Sequence, residues 1–175
     1  EEDVDFNELV MGDAFKVFDV DKVGFWYCLF LDRGYDYCAV GILDEHTSAD
    51  FWRCYEDTWM VWAGPPDVFV SDREKGLVSN DIVKKLSHSG TETDPTAPYA
   101  PWQKSRVERK IRLAKEVFQK TVKYMVVKGR DEMKSTGIEV AGALNHSPGN
   151  SGVSAATMLF GQRVKMFGEI WHRGE

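Results

Sequence analysis

Three acidic residues occupy positions at which a carboxylate is unexpected, and their placement suggests metal-ion chemistry. Asp13 lies within a strand-like apolar run, Asp72 ends a short apolar strand, and Glu108 lies in the first turn of a long predicted helix. An ionised carboxylate near a core is costly unless a cation compensates its charge. If the three side chains converge, their oxygens suit Mg²⁺ or Mn²⁺. Two such ions about 3.5–4 Å apart catalyse phosphoryl transfer. The alternative is that each acid is an independent cap or surface residue.

The elements that would position these acids follow an α/β order. Runs of β-forming residues at 9–18, 25–31 and 37–43 predict an antiparallel meander. A helix capped near Thr47 and ending at about Ala63 follows, and then a short buried strand at 67–72. The remaining predicted elements are a helix at 79–87, an irregular proline-punctuated segment at 90–103, a long helix at 105–127, a helix from Glu132 or Ile138 to Leu144, and a last turn at 155–160. This order predicts one α/β domain with a mixed sheet.

Composition excludes several classes of protein. The 43% apolar content of the 175 residues is enough for a packed core, which excludes a disordered tail. The longest apolar run, residues 25–31, is far too short to span a membrane. Three cysteines without C-x-x-C spacing argue against a disulfide framework or a structural zinc and favour a reducing compartment. Since the chain opens without Met, we expect it to be a piece of a longer protein.

The charge is distributed unevenly along the chain. The overall net charge is −6, and residues 1–57 carry fifteen acidic against four basic side chains. Residues 104–130 reverse this balance, with ten basic against two acidic side chains. A basic stripe of this kind attracts phosphate locally even on an acidic protein. The alternative is an ordinary solvated helix face.

Four segments contain distinctive sequence motifs, in a fixed order along the chain. They are FNELVMGDAFKV followed by FWYCLFLDRG, then GPPDVFVSDREKGLVSNDIVKKL, then APYAPWQKSRVERKI, and finally ALNHSPGNSGVSAATMLFGQR. Together they resemble the integrase catalytic core of retroviruses and long-terminal-repeat retrotransposons. The resemblance covers roughly residues 6–165, and 35 residues separate Asp72 from Glu108 as in that family.

The resemblance implies a fold, an activity and a set of partners. The implied fold is RNase H-like, with a mixed five-stranded sheet flanked by helices. Asp13, Asp72 and Glu108 are the implied catalytic and metal-binding triad of a DDE-type polynucleotidyl transferase, with Mg²⁺ or Mn²⁺ as cofactor. The implied activity is DNA 3′-end processing and strand transfer. The implied partners are element-end and target DNA and further copies of the chain in a homodimer or higher oligomer, and the implied location is the nucleus. We expect residues 1–175 to be a catalytic core alone, without a zinc domain or a C-terminal DNA-binding domain.

The first carboxylate has an alternative. Asp19 lies six residues beyond Asp13 and therefore has the same strand parity, so alternation does not separate them. We favour Asp13 because it lies in the middle of the strand, as the first acid of the resembled family does. Asp19 falls in the predicted turn.

The proposed triad also suggests a role for the basic residues of the long predicted helix. Arg112 and Lys115 lie four and seven residues after Glu108 and share its helix face, as does Lys104 one turn before it. We predict that Lys104, Arg106, Arg112 and Lys115 contact DNA phosphates, which position the backbone without reading its sequence.

Two departures from the family pattern place strand transfer in question. Glu74 stands where the family usually has Gly after its second aspartate, and Ser105 replaces a loop Gly before Glu108. The alternatives to an integrase are therefore a catalytically silent, retroelement-derived DNA-binding or dimerisation module and an RNase H-like nuclease. The proline loop and the tail motif argue against the nuclease.

Overall fold

The structure is a computed structural model that describes residues 4–71, 78–93, 100–149 and 151–166. For residues 100–104 only the backbone is described.

A mixed sheet forms the centre of the fold. Its strands are β1 (Leu9–Phe18), β2 (Gly24–Asp32), β3 (Cys38–Leu43) and β4 (Val68–Ser71), in the spatial order β3-β2-β1-β4. β1 and β2 are antiparallel, as are β2 and β3, which confirms the predicted meander. β4 runs parallel to β1 and pairs Leu9 with Val68 and Gly12 with Ser71.

The prediction of five strands is wrong for the part of the chain that the structure describes, which contains four. Among the described residues after β4, the contact with the sheet edge is a single bridge between Val68 and Glu92. Two backbone hydrogen bonds, from Phe69 N–H to the Glu92 oxygen at 2.9 Å and from Glu92 N–H to the Asp67 oxygen at 2.7 Å, make this contact. Prolines follow at 95, 98 and 101, and proline cannot donate to a strand ladder.

Helices cover both faces of the sheet and create two cores. Odd-numbered residues of β1, such as Met11 and Phe15, pack with Ile111 and Phe118 of α4 (Ala100–Met125) and with α5 (Gly129–His146). Even-numbered residues such as Val10 pack with α1 (Ser48–Tyr55) and α3 (Asn80–His88). The two-residue period of a strand thus decides which helix layer each side chain of β1 meets. The last helix is α6 (Ala155–Phe160).

The helix predicted to end near Ala63 contains an irregular turn. α1 begins after Thr47, whose side-chain oxygen accepts the Asp50 N–H, and continues into a π-helical turn, Glu56–Met60. A final short turn, α2 (Val61–Ala63), ends at Gly64. The wider turn adds one residue to the helix, and Trp59 within it is fully buried. The Trp59 indole N–H donates to the Asn7 side-chain oxygen at 2.9 Å, which ties the helix to the N-terminal segment.

The two long helices differ from their predicted bounds. α4 begins at Ala100, not at Ser105, because a proline such as Pro101 is tolerated in a first helical turn. The predicted irregular segment 90–103 is therefore wrong for residues 100–103, while residues 94–99 lie outside the described part. α5 is longer than predicted and begins at Gly129, where the sequence indicated only the end of α4.

No helix among the described residues combines the length and the apolar character that crossing a bilayer requires.

Candidate functional site

Asp13 lies in the middle of β1, on the face of the sheet that α4 covers. Its neighbours on this face are Met11 and Phe15, both in the core shared with α4, and only 8% of the Asp13 residue is exposed. One carboxylate oxygen accepts the N–H of Ala14 at 2.8 Å. The strand pairing with β2 on one side and the packing of α4 above therefore hold a nearly buried carboxylate in a defined place.

Asp72 lies outside the described residues. Its sequence neighbour Ser71 ends β4 and pairs with Gly12, which is the sequence neighbour of Asp13. The end of β4 and the middle of β1 are therefore adjacent in the sheet.

Glu108 lies in the third turn of α4, not in the first, because the helix begins eight residues before it. Val107 and Ile111 are 6% and 7% exposed and pack into the core that Asp13 borders, whereas Glu108 itself is exposed. A helix anchored by these two apolar residues presents Glu108 at the boundary between packed and solvated sides.

The chemistry of these side chains suits a hard divalent ion. Asp13 and Glu108 supply carboxylate oxygens, the ligands that Mg²⁺ and Mn²⁺ prefer. Within residues 4–71, 78–93, 100–149 and 151–166, no three Asp, Glu, His or Cys side chains form a group able to hold a metal ion. Because Asp72 is not among these residues, the predicted triad as a whole lies beyond that search.

Asp19, the alternative first carboxylate, binds backbone groups. One of its oxygens accepts the N–H groups of Asp21 and Val23, both at 2.9 Å, and the other accepts the Gly129 N–H at 3.0 Å. These hydrogen bonds, that from Gly129 above all, lower the pKa of Asp19 below its usual value. The carboxylate therefore has a structural role, because it closes the β1–β2 turn and caps the start of α5.

The predicted DNA-contacting residues lie along α4 with different exposures. Arg106 and Arg112 are exposed, and Lys115 is half-buried. The side chain of Lys104 lies outside the described part, although its backbone belongs to α4. Among the described side chains, Arg112 and Lys115 therefore lie on the Glu108 face of α4, whereas Arg106, two residues before Glu108, lies on the other side of the helix.

Part of the charge asymmetry is neutralised within the fold, which sequence analysis did not foresee. Acids of the first 57 residues form ion pairs with basic residues of the stretch 104–130. Lys110 contacts Asp36 at 2.6 Å, Lys128 contacts Asp21 at 2.7 Å, and Arg130 contacts Asp44. No local pattern reveals such pairs, because their partners are 74 to 107 residues apart in the sequence.

The cysteines and the three described histidines are held by contacts outside the candidate site. Cys28, Cys38 and Cys54 are free, buried thiols, and burial raises the pKa of Cys38 to about 12. His46 stacks on Trp26, and His88 and His146 lie against carbonyl oxygens of their own helices. His172 lies outside the described residues.

Asn145 has a structural role that the sequence did not indicate, since it stood there only as part of the last motif. Asn145 is 3% exposed and binds both backbone groups of Cys38, accepting its N–H at 2.8 Å and donating to its oxygen at 2.7 Å. Its side-chain amide thus pairs with the outer edge of β3 in the way that a further strand would. The signal available in the sequence was a lone polar residue on the apolar side of α5.

Comparison with solved structures identifies the fold. The HTLV-2 integrase catalytic core domain in complex with magnesium, in its trimeric form, superposes with a TM-score of 0.71 at 14% identity, over 86% of this chain and 95% of that chain. The BIV integrase catalytic core gives 0.68 at 15% identity, over 89% and 95%. The simian T-cell lymphotropic virus intasome, in complex with a PP2A regulatory subunit, gives 0.74 at 15% identity, over 94% of this chain and 58% of that one.

No protein-family model and no curated relative matches the chain. The similarity to the solved structures shows that the chain has the RNase H-like fold of retroviral integrase catalytic cores, which confirms the fold expected from the sequence resemblance.

Proposed function

We propose that this chain is the catalytic core of a retroelement integrase, which processes DNA 3′ ends and joins them to target DNA. The observation that carries the proposal is the nearly buried Asp13 carboxylate, held in mid-strand on the sheet face that the Glu108 helix covers. The shared fold with integrase cores supports it.

Asp13, Asp72 and Glu108 are the proposed metal ligands. The pairing of Ser71 with Gly12 supports this set, because Asp72 and Asp13 are the next residues in the sequence after this pair. Mg²⁺ or Mn²⁺ held by these oxygens would stabilise the negative charge that develops as a phosphoryl group is transferred. The magnesium in the HTLV-2 integrase core supports a divalent ion in the same fold.

The chain's own basic residues would seat the DNA. Lys104, Arg106, Arg112 and Lys115 belong to the same helix as Glu108, so a phosphate backbone that lies along α4 meets positive charge beside the reacting group. Seating the DNA in this way would orient a 3′-hydroxyl or a water molecule against a fixed phosphate, and this positioning would lower the entropic cost of reaching the transition state.

The test is metal-dependent cleavage and strand transfer. Wild-type protein should process and join element-end DNA, or reverse the joining on a branched substrate, in Mn²⁺. Asp13→Asn and Asp72→Asn should abolish the reaction, while Asp67→Asn, an exposed acid outside the proposed triad, should leave it intact. Loss of activity in Asp19→Asn with retention in Asp13→Asn would instead assign the first ligand to Asp19.

A non-catalytic DNA-binding or dimerisation module is the second candidate. Glu74, in place of the usual Gly after the second aspartate, and Ser105, in place of the loop Gly before Glu108, favour it. The same assay separates the two: if wild type and Asp72→Asn are equally inactive while both bind DNA, the module is the correct assignment.

We further propose that the chain forms a homodimer or higher oligomer. The HTLV-2 core occurs in dimeric and trimeric forms, which supports self-association on this fold. Trp62, Ile138 and Phe160 are 42%, 48% and 48% exposed around a cavity of about 320 Å³ beside β3. Apolar side chains clustered at one site are typical of an interface.

A further inference from the structure

Three consecutive apolar residues are exposed where α4 ends. Tyr124 is 87% exposed, Met125 is 65% exposed and Val126 is 63% exposed. Single exposed apolar residues are normal, but a contiguous group at one corner indicates contact with another molecule. We call this group, together with Lys120 and Lys123, the corner patch.

The fold holds the corner patch in place. The next residue, Val127, is buried, and its N–H donates to the Val122 oxygen at 3.1 Å. The Val127 oxygen accepts the N–H of Val20, also at 3.1 Å. Val126 adopts a φ of 56°, a left-handed conformation that is unfavourable for a β-branched residue and persists only when the surroundings enforce it. The exposed side chains are therefore presented on an anchored turn.

The charges of the corner patch are available to a ligand. Lys120 and Lys123 are exposed and form no ion pair with any residue that the structure describes. By contrast, Lys128 just beyond the turn pairs with Asp21. A shallow recess of about 690 Å³ is lined by Lys120, Thr121, Lys123, Tyr124 and Met125. An exposed aromatic ring beside two lysines that have no ion pair among the described residues is complementary to a base and its flanking phosphates.

We propose that the corner patch binds single-stranded DNA, with a base stacked on Tyr124 and phosphates against Lys120 and Lys123. This inference rests on the proposed action of the chain on DNA and adds a contact remote from the reacting group. Tyr124 lies sixteen residues after Glu108 on one continuous helix, which is about 24 Å along its axis. At the stacked spacing of about 3.4 Å per nucleotide, a strand needs about seven nucleotides for this axial distance alone. Because successive helix residues turn by about 100°, Tyr124 is also rotated by about 160° from Glu108, and the strand must pass around the helix as well.

The first test is the affinity for single-stranded oligonucleotides, measured by fluorescence anisotropy without divalent metal. Tyr124→Ala should weaken binding about tenfold, and Tyr124→Phe, which keeps the ring, should bind as wild type does. Lys120→Gln and Lys123→Gln should each reduce the slope of log affinity against log salt by about 0.7. Phe18→Ala is the matched control, because Phe18 is 51% exposed but shares the sheet face of Val10, away from α4.

A length series gives the sharper test. On processing substrates with a ten-nucleotide single-stranded tail, Tyr124→Ala should lose affinity, whereas with a two-nucleotide tail it should equal wild type. Equal affinity of Tyr124→Ala and wild type on the long tail would overturn the inference. So would a Tyr124-dependent shift in oligomeric state, or in binding to phosphatidylserine vesicles, with unchanged DNA affinity.

The two proposals fail separately. If wild type cleaves DNA and Tyr124→Ala binds and cleaves normally, the corner patch is wrong and the integrase assignment stands. If wild type never cleaves but its DNA affinity depends on Tyr124, the corner patch stands and the catalytic assignment falls.

Discussion

The Asp19 carboxylate accepts the backbone N–H of Gly129 at 3.0 Å, across 110 residues of sequence. This hydrogen bond joins the turn after β1 to the first residue of α5. The same carboxylate also closes its own turn through Asp21 and Val23. One side chain thus couples the meander to the helical layer, and it leads to the first prediction.

Asp19→Asn should lower the stability of the fold. An amide can accept fewer of the three N–H groups and carries no charge to strengthen those bonds. The folded pKa of Asp19 lies below the unfolded value, chiefly because Gly129 donates to the ionised form. The stabilisation is therefore fully present above the unfolded pKa of about 3.9 and is lost as the pH falls through the lower folded pKa.

Urea denaturation of wild type and Asp19→Asn at pH 6 and below pH 3 measures this effect. The gap between their midpoints should be wide at pH 6 and should narrow in acid. A difference between the midpoints that does not change with pH would show that the charge of the Asp19 carboxylate does not contribute to stability.

Gly41→Ala should destabilise the contact between β3 and the helix that crosses it. A Cβ at Gly41 would lie 2.4 Å from the Cys54 sulfur and 2.5 Å from the Thr58 hydroxyl oxygen. Overpacking of this kind costs about 1–3 kcal/mol of unfolding free energy. Gly149→Ala is the control, because its nearest contact would be an ordinary 3.5 Å. In a Cys54→Ala, Thr58→Ala background, Gly41→Ala should cost less unfolding free energy than it costs in the wild type. An equal cost in the two backgrounds would refute the steric explanation.

Asn145→Ala should cost about 2–6 kcal/mol of unfolding free energy. The substitution leaves the Cys38 N–H and C=O without partners at a buried position, at about 1–3 kcal/mol for each group. Asn145→Asp should also destabilise, because a carboxylate cannot donate to the Cys38 oxygen. Thermal or urea unfolding measures both variants, with exposed Asn80→Ala as the control. A loss below about 1 kcal/mol in Asn145→Ala would mean that water replaces the amide.

Glu108→Gln should reduce strand transfer on the order of 100-fold or more, because it removes a charged metal ligand from the proposed site. Glu116→Gln is a closely matched control, since this exposed acid lies on the same helix about two turns further on. Single-turnover rates in Mn²⁺ provide the measurement. Equal losses in both variants would indicate a general effect of the α4 charge and would count against a specific role for Glu108.

Ile138→Glu should shift the chain towards the monomer. Ile138 is 48% exposed and lines two cavities that lie along β3, the one of about 320 Å³ described above and a second of about 360 Å³. A carboxylate there would have to be desolvated in an apolar interface. Light scattering after size-exclusion chromatography measures the mass. Val61→Glu serves as the control because Val61 is 75% exposed and lines neither cavity, and an unchanged mass for Ile138→Glu would place the interface elsewhere.

The strands of the meander were predictable because their side chains repeat with the period of the sheet itself. Alternation through Met11, Asp13 and Phe15 places one face of β1 against α4, which is a local property of the sequence. The position of Glu108 beside buried Val107 and Ile111 follows from helical periodicity in the same way.

Other features depend on contacts between distant parts of the chain. The fifth strand was expected from the family resemblance, yet near Val68 the described chain makes only one bridge, at Glu92. Asp13 and Asp19 have the same parity, and the hydrogen bond from the distant Gly129 adds to the local ones from Asp21 and Val23 in giving Asp19 a different environment. Ion pairs such as that of Lys110 with Asp36 form only after β3 and α4 have packed.

The π-helical turn at Glu56–Met60 makes the length of this segment as important as its composition. Successive residues of an α-helix are rotated by about 100°, so deleting one residue within the turn would let the helix continue regularly while swinging the indole of Trp59 out of line with Asn7. A one-residue deletion in this segment should therefore disturb the fold more than the replacement of one of its exposed side chains, such as Glu56 or Asp57.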